Sequence, residues 1–307
     1  QTYQSTAEVL MRVAGQMFCQ KYDLVCEPVF LPSSAQGLQA LAGNSIDVIY
    51  VGTDFGVRAA SNGADLKIVS GASNRINLQV VNRKDVSFPN AKADYAQRMK
   101  DYEGKRVGIS GRGATSEIAF DLMMRSVGAA ADKVTFISVG GPTTALGALR
   151  AKQVDAVMLF QPLPAICDTG GDICETAIDL TREDRPPVMQ QFDGAGISIF
   201  SSNSLIQKNP EAMRAYVAAL KDAEVWLKDP ANYEKAKTLV KGYLDLTMPN
   251  AEKILEVGLK EQIGNTNTRT NSTAVSNFIK TLEERKLLGK PVQAADVIWS
   301  EASVERK

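Results

Sequence analysis

The chain has 307 residues, 44% of them hydrophobic and 23% charged, a composition typical of a folded protein of about two domains. Its 35 lysines and arginines balance 35 aspartates and glutamates, so no overall charge attracts nucleic acid or an anionic membrane. The chain contains no histidine, which excludes Ser/His and Cys/His nucleophilic pairs, histidine metal ligands and the commonest general base.

The first quarter of the chain alternates between helix and strand patterns. Apolar residues at three- and four-residue spacings predict a helix over 7–22. Two shorter helices are predicted, one ending at Gly43 and one between Asp54 and Gly63. Strands are predicted over 24–31, 46–51, 66–69 and 76–81. This alternation favours an α/β fold built on a parallel sheet.

A polar stretch over 82–103 separates a second block of the same kind. Glycine-rich turns over 111–116 and 140–144 each follow a predicted strand and lead into a helix. The strands of this block are predicted over 105–110, 134–139 and 154–160.

An internal repeat links the two blocks. Residues 38–49 can be laid on residues 146–157, where each copy is a short helix, a turn and an aspartate that opens a buried strand. The aspartates are Asp47 and Asp155. The repeat favours two lobes of like construction, and chance similarity between two βαβ units is the alternative.

The chain becomes helical after one more strand, at 196–200. Four helices are predicted to begin near Asn209, Pro230, Asn250 and Asn271. Because this tail has apolar faces and no sheet of its own, we expect it to return to the first lobe. The predicted domains are a discontinuous lobe 1, residues 1–83 plus 195–307, and a lobe 2 of residues 84–194.

The four cysteines form two pairs, each with a spacing of seven residues. Neither pair has the tighter spacing of a zinc ribbon or a C-x-x-C redox motif. Two local disulfides, Cys19–Cys26 and Cys167–Cys174, would suit an oxidising compartment. The turn-rich stretch over 168–173 favours the second of them, and four independent thiols remain the alternative.

No apolar run approaches the ~18 to 20 residues that span a bilayer, and no signal peptide is visible at the start. Either the chain is cytoplasmic or a targeting segment has been removed. A polar stretch runs straight into the first helix, so the sequence leaves open whether an N-terminal strand is missing.

An ordered series of short motifs resembles the periplasmic solute-binding proteins of ABC importers, in particular the nitrate/sulfonate/taurine-binding and thiamine-pyrimidine-precursor-binding group. The motifs lie at 41–52, 63–69, 102–109, 153–157 and 209–211. The family's usual first strand is not evident. Receptors of tripartite (TRAP-type) transporters share similar local motifs, including the serine-rich turn at 32–34, and stay an alternative.

The resemblance implies two lobes, each with a mainly parallel sheet flanked by helices, and a ligand cleft between them. It implies a periplasmic, monomeric receptor that captures a small anionic solute and delivers it to a membrane permease. No enzyme activity, cofactor, metal or nucleic-acid partner is expected. An enzyme related to pyrimidine-precursor synthases is the second hypothesis, although such enzymes depend on histidine. An effector-binding regulatory module is the third, although no basic DNA-reading segment is present.

The ligand site is expected where strands end, because α/β proteins bind ligands beyond the carboxyl ends of their strands. The turn at 111–116 is favoured for an acidic group: its glycines allow close approach, and it offers backbone N–H groups, Arg112 and the Thr115 hydroxyl. The alternative is an ordinary turn with Arg112 in solvent. Asp54 could equally be a helix cap, and Phe160 could stack on a ligand or fill the core. The candidate ligand-binding residues are Ser33, Ser34, Thr53, Asp54, Ser73, Asn74, Arg112, Gly113, Ala114, Thr115, Thr143, Phe160 and Gln161.

Overall fold

The structure, a computed structural model, describes residues 5–31, 33–170, 173–244 and 246–305. The chain divides into two compact units. Unit 1 comprises Gln1–Ile76, Phe192–Asp245 and Leu259–Lys307, and unit 2 comprises Asn77–Gln191 and Leu246–Gly258. Each unit has its own sheet flanked by helices.

The strands and helices follow one another in α/β alternation until residue 201, after which helices dominate. The strands are β1 Ile49–Gly52, β2 Lys67–Ser73, β3 Gln79–Arg83, β4 Arg106–Ile109, β5 Thr135–Ser138, β6 Ala156–Leu159, β7 Cys174–Asp179, β8 Ile197–Ser201, β9 Thr270–Asn271 and β10 Val304–Glu305. The α-helices are α1 Val9–Val13, α2 Ser34–Ala42, α3 Thr53–Ser61, α4 Tyr95–Lys100, α5 Thr115–Ser126, α6 Pro142–Arg150, α7 Leu163–Gly170, α8 Pro187–Gln190, α9 Asn203–Lys208, α10 Pro210–Lys228, α11 Tyr233–Lys241, α12 Ala251–Asn265, α13 Ser272–Glu284 and α14 Ala294–Val297. Among the described residues, no helix is both long and apolar enough to cross a bilayer.

The predicted first helix is confirmed, although only its centre is an α-helix. A 3₁₀ turn over Thr6–Glu8 leads into α1, and a π-helical turn and a second 3₁₀ turn continue it to Tyr22. The Ser5 hydroxyl accepts a hydrogen bond from the Ala7 N–H at 3.1 Å and caps the start.

The strand predicted over 24–31 is wrong. Residues 24–29 lie outside any helix or strand, and Phe30 makes a single isolated bridge. A strand needs a neighbour to satisfy its backbone groups. The backbone–backbone hydrogen bonds among the described residues include none that pair residues 25–29 with a neighbouring segment.

The sheet of unit 1 has the order β1-β8-β2. The α/β class is confirmed, but the predicted parallel pairing is wrong here, because β8 lies between β1 and β2 and pairs antiparallel with both. Strand β8 arrives from much later in the sequence, so the local βαβ pattern could not reveal it.

The sheet of unit 2 has the order β5-β4-β6-β3-β7. Strand β4 pairs parallel with β5 and β6, whereas β3 pairs antiparallel with β6 and β7. The parallel half therefore agrees with the sequence prediction, and the other half makes the sheet mixed. Strand β3, which the predicted domain boundary assigns to lobe 1, is hydrogen-bonded in this sheet.

Most of the helical tail packs within unit 1, where α10 contacts the segment over 6–22 and α13 contacts α3. The part over 246–258 differs from the prediction. Ile254 belongs to the core of unit 2, with Val81 and Leu149, and Leu246 and Met248 pack against that core. Burial of these apolar side chains explains why the tail does not stay with one unit.

Both predicted disulfides are confirmed: Cys19 is bonded to Cys26 and Cys167 to Cys174. The stretch after Cys167 differs from the predicted turn, since Asp168, Thr169 and Gly170 belong to α7. Gly171 and Asp172, also assigned to that turn, lie outside the described residues.

We expect removal of the Cys167–Cys174 bond to destabilise unit 2 by about 2 to 3 kcal/mol, the loop-closure entropy of a bond that spans seven positions. Hydrogen exchange of the β7 amides in the Cys167→Ala/Cys174→Ala double variant measures this loss. The Cys19→Ala/Cys26→Ala double variant is the matched control, because the bond that it removes closes an equal loop in unit 1. It should leave β7 protection unchanged. Unchanged β7 protection in the first variant would contradict the expectation.

Candidate ligand-binding site

The parallel strands of unit 2 bring three turns to one edge of the sheet. Strands β5, β4 and β6 run in the same direction, so their carboxyl ends lie together, and α6, α5 and α7 begin beyond them. After β4 the chain continues to β5, at one end of the strand order. After β6 it continues to β7, at the other end. The edge between β4 and β6 is therefore a topological switch point, where α/β proteins place ligands.

The turn after β4 presents Arg112, Gly113 and Ala114 ahead of α5, which begins at Thr115. Gly113 has a φ of +70°, a left-handed conformation that favours glycine. Ala114 occupies the N-cap position and has no side chain able to cap the helix. Ser116 supports the turn from below, since its hydroxyl accepts the Ser110 N–H at 3.1 Å.

Glu117 folds back onto this turn. Its carboxylate accepts a hydrogen bond from the Gly113 N–H, and its Oε1 lies 3.0 Å from Arg112 Nη1. Arg112 also lies over the ring of Phe136, 5.9 Å from its centroid. The Gly113 N–H and the Arg112 guanidinium, which the sequence suggested as donors for a ligand anion, therefore already bind a carboxylate.

Glu117 is not among the site residues predicted from the sequence, although its position in α5 carries a signal. Glutamate at the third helical position commonly reaches back to backbone N–H groups before the helix, as in a capping box. Here that position follows the Ala114 N-cap.

The other candidates of unit 2 differ in accessibility. Thr143 is exposed in the first turn of α6. The N-cap residue of that helix is Gly141, which has no side chain to cap it. Phe160 is half-buried and packs against the core, so the structure supports the core alternative. Gln161 is buried, and its Oε1 accepts the Ala165 N–H of α7 at 3.1 Å.

In unit 1, the carboxyl ends of β1 and β2 and the start of β8 meet at one edge. Ile197 is paired with Gly52 on one side and with Ser73 on the other. Thr53 and Asp54 are both buried in the first turn of α3, and Thr53 Oγ1 lies 2.7 Å from Ser198 Oγ. The Thr53 hydroxyl therefore forms a hydrogen bond within this edge, to the hydroxyl of Ser198.

Asn265 holds the end of β2 in place. Its Nδ2 donates to Ser73 Oγ at 2.8 Å, its Oδ1 accepts the Arg75 N–H at 2.8 Å, and its carbonyl accepts the Asn74 N–H at 2.7 Å. Ser73 is buried, and Asn74 is partly exposed. The tail contributes this residue, and sequence spacing gave no sign of it.

Ser33 and Ser34 lie at the start of α2. The Ser33 hydroxyl accepts the Gln36 N–H at 3.3 Å and caps the helix, and Ser34 is its first residue. The structure thus groups Thr53, Asp54, Ser73 and Asn74 near the unit 1 edge and Arg112 to Thr115, Thr143, Phe160 and Gln161 near the unit 2 edge, while a capping role accounts for Ser33.

This architecture is the fold of periplasmic binding proteins, as comparison with solved structures shows. The alkanesulfonate-binding protein SsuA of Xanthomonas axonopodis pv. citri superposes with a TM-score of 0.75 at 18% identity, covering 97% of this chain and 96% of that one. The aliphatic sulphonate-binding protein SsuA of Escherichia coli gives 0.75 at 19% identity, over 99% and 92%. The nitrate-binding protein NrtA of Synechocystis PCC 6803 gives 0.64 at 14% identity, over 83% and 67%.

The chain belongs to the NMT1-like family, whose model matches residues 3–241. Together with the fold, this match confirms the resemblance to solute-binding proteins of the nitrate and sulfonate type. A protein of Brucella abortus (strain 2308), named as a candidate binding protein, is 24% identical over 217 residues, or 70% of this chain. The match spans 60% of the length of that curated relative.

Proposed function

We propose that this protein is an extracytoplasmic solute-binding receptor, not an enzyme, and that it delivers a small anionic solute to an ABC importer. The fold supports a receptor, and similar solved structures include sulfonate-binding and nitrate-binding proteins. Further similar structures include a ligand-binding component of an ABC-type import system from Staphylococcus aureus, which favours this class over tripartite transporters. A periplasmic location and a monomeric state are part of the proposal.

The contact of Glu117 with the turn after β4 is the observation that supports an anionic ligand. Its carboxylate engages the Gly113 N–H and the Arg112 guanidinium together. A carboxylate, a sulfonate and nitrate each present at least two oxygen atoms on a planar or tetrahedral centre. A solute of this kind therefore fits the same donors. The N-terminus of α5 adds the favourable end of a helix dipole.

Two substitutions at the turn should change anion affinity in opposite directions. Arg112→Ala should weaken binding at least roughly tenfold, or about 1.4 kcal/mol, because it removes a charge-assisted hydrogen bond. Glu117→Gln should strengthen binding, because the internal competitor loses its charge. Calorimetric titration with aliphatic sulfonates, carboxylates and nitrate measures both changes.

Arg125→Ala is the matched control, because Arg125 is an exposed arginine at the far end of α5, paired with Asp121. It should leave affinity unchanged. Gly111→Val tests steric access better than a change at Gly113, since a Cβ atom at Gly111 meets no protein atom within 4 Å and Gly113 has a positive φ. Wild-type affinity in both Arg112→Ala and Gly111→Val would reject the turn as the anion site.

A further inference from the structure

The two disulfides of the chain have the same spacing but different surroundings. Cys167, in α7, is 1% exposed, and Cys174, in β7, is fully buried. Cys19 is fully buried as well, whereas Cys26 is partly exposed. Of the two bonds, only Cys19–Cys26 therefore has a member at the surface.

The backbone around Cys26 is held by few contacts besides the disulfide. The Leu24 N–H donates to the Cys19 carbonyl at 3.0 Å, but within the described chain no backbone–backbone hydrogen bond joins residues 25–29 to another segment. By contrast, Cys174 lies in the ladder between β7 and β3, opposite Arg83. The Cys19–Cys26 bond is therefore the main restraint on its segment, whereas a sheet restrains Cys174 independently of its disulfide.

Cys26 also lines a groove of about 640 Å³ in unit 1. Leu24 and Val29 of the same segment form part of one wall, and the helical segment over 6–22 and α10 contribute others. Behind Cys26 the chain is closely packed, since a Cβ atom at Gly15 would lie 3.6 Å from the Cys26 Cβ. A groove of this size admits a small organic thiol.

We infer that Cys19–Cys26 is a thiol-exchange site, at which a reductant with two neighbouring thiols opens the bond at Cys26 and releases the segment over 24–29. Cys167–Cys174 is a structural bond. Exchange requires a thiolate to reach a disulfide sulfur, so access decides which bond and which sulfur react. The shielded bond reacts only after local unfolding of α7 or β7, which makes its reduction slow.

The exchange takes two steps. A thiolate of the reductant attacks the Cys26 Sγ, forms a mixed disulfide there and expels the Cys19 Sγ as a thiolate. The second thiolate of the reductant then attacks the reductant's own sulfur in the mixed disulfide, so the reductant leaves as a disulfide and Cys26 as a thiolate. Two electrons pass to the protein, and Cys19 and Cys26 take up the two protons that the reductant has lost. Oxidation by a small disulfide reverses both steps.

Timed reduction of the folded, oxidised chain with dithiothreitol tests the inference. Free thiols are blocked with N-ethylmaleimide at each time and located by peptide mapping. We expect Cys19 and Cys26 to be labelled at least roughly tenfold faster than Cys167 and Cys174. In urea the two rates should become similar, because the fold no longer shields either bond and both close equal loops. With glutathione, a monothiol, acid quenching should trap the mixed disulfide on Cys26.

Cleavage after Glu27 by a glutamate-specific protease measures the release of the segment. Selective reduction should speed this cleavage at least roughly tenfold, and reoxidation should restore the slow rate. The Cys19→Ala/Cys26→Ala variant should be cleaved at the fast rate with or without dithiothreitol. Glu175 is the matched control site, because it is exposed beside Cys174 in β7 and should stay uncut throughout.

Equal reduction rates of the two bonds in the folded chain, or faster reduction of Cys167–Cys174, would overturn the inference. A rate difference that persists in urea would also contradict it, because the difference would not come from the fold. A mixed disulfide found on Cys19 alone would refute attack at Cys26. Cleavage after Glu27 at the same rate before and after reduction would show that the bond does not hold the segment, and would equally overturn the inference.

Discussion

Gly196→Ala is expected to destabilise unit 1 by more than about 3 kcal/mol. A Cβ atom at this position would lie 2.1 Å from the carbonyl carbon and oxygen of Arg75 and 2.6 Å from the Ile76 nitrogen. These are backbone atoms, which cannot rotate away as a side chain can. Relief requires the segment before β3 to separate from the start of β8, where the Gly196 N–H bonds the Ser73 carbonyl at 3.1 Å.

Tryptophan fluorescence during urea unfolding measures this effect, because the chain has only two tryptophans, Trp226 and Trp299, and both lie in unit 1. Gly264→Ala is the matched control. It lies in the last turn of α12 in the same unit, and a Cβ there meets no atom within 4 Å, so alanine should not lower the stability of unit 1. A wild-type unfolding midpoint for Gly196→Ala would contradict the close packing at this edge.

Unit 1 is expected to lose stability steadily as the pH rises from 5 to 8, by as much as about 1.4 kcal/mol per pH unit. Burial raises the pKa of Glu8 to about 9 and outweighs the ion pair with Arg12, whose Nε lies 3.4 Å from the carboxylate. Within the described chain, Glu8 Oε1 has no hydrogen-bond partner. Between pH 4.5, the ordinary pKa of the group, and about 9, the folded chain keeps a proton that the unfolded chain has lost, so rising pH favours unfolding.

This pH window is favourable for measurement because the chain has no histidine to titrate within it. Glu8→Gln should flatten the profile and stabilise unit 1 at pH 8, as followed by tryptophan fluorescence in urea. Glu284→Gln, at an exposed glutamate of the same unit, should keep the wild-type slope. A slope that survives in Glu8→Gln would show that another group is responsible.

The sequence predicted those parts of the fold that depend on local spacing. The helix over 6–22, the glycine-rich turn before α5 and both cysteine pairs follow from residues close together in the chain. Strand direction in unit 1 did not follow, because β8 reaches its place between β1 and β2 from more than a hundred residues away. The return of Ile254 to the core of unit 2 is equally non-local.

The strand predicted over 24–31 fails for a different reason. Its side-chain pattern is that of a strand, but a strand is defined by its partner, and residues 24–29 pair with no strand among the described residues.

At the candidate site, the sequence indicated the turn but not the contact of Glu117 with its donors. Glycine spacing and Arg112 indicated an oxyanion site, whereas the engagement of both donors by Glu117 depends on side-chain conformation. Asn265, which holds Ser73 and Arg75, comes from a helix nearly two hundred residues later. The remaining ligand-site residues stay predictions.

Calorimetric titration of the purified chain with paired anionic and neutral solutes tests the receptor account most directly. The pairs are sulfonates with their sulfonamides and carboxylates with their amides, with nitrate as a further anion. We predict that at least one anion binds with a stoichiometry of one per chain and a Kd well below about 1 mM, that its neutral partner binds at least roughly tenfold more weakly, and that no solute is chemically altered. Failure of every anion to bind, or equal binding of an anion and its neutral partner, would contradict the account.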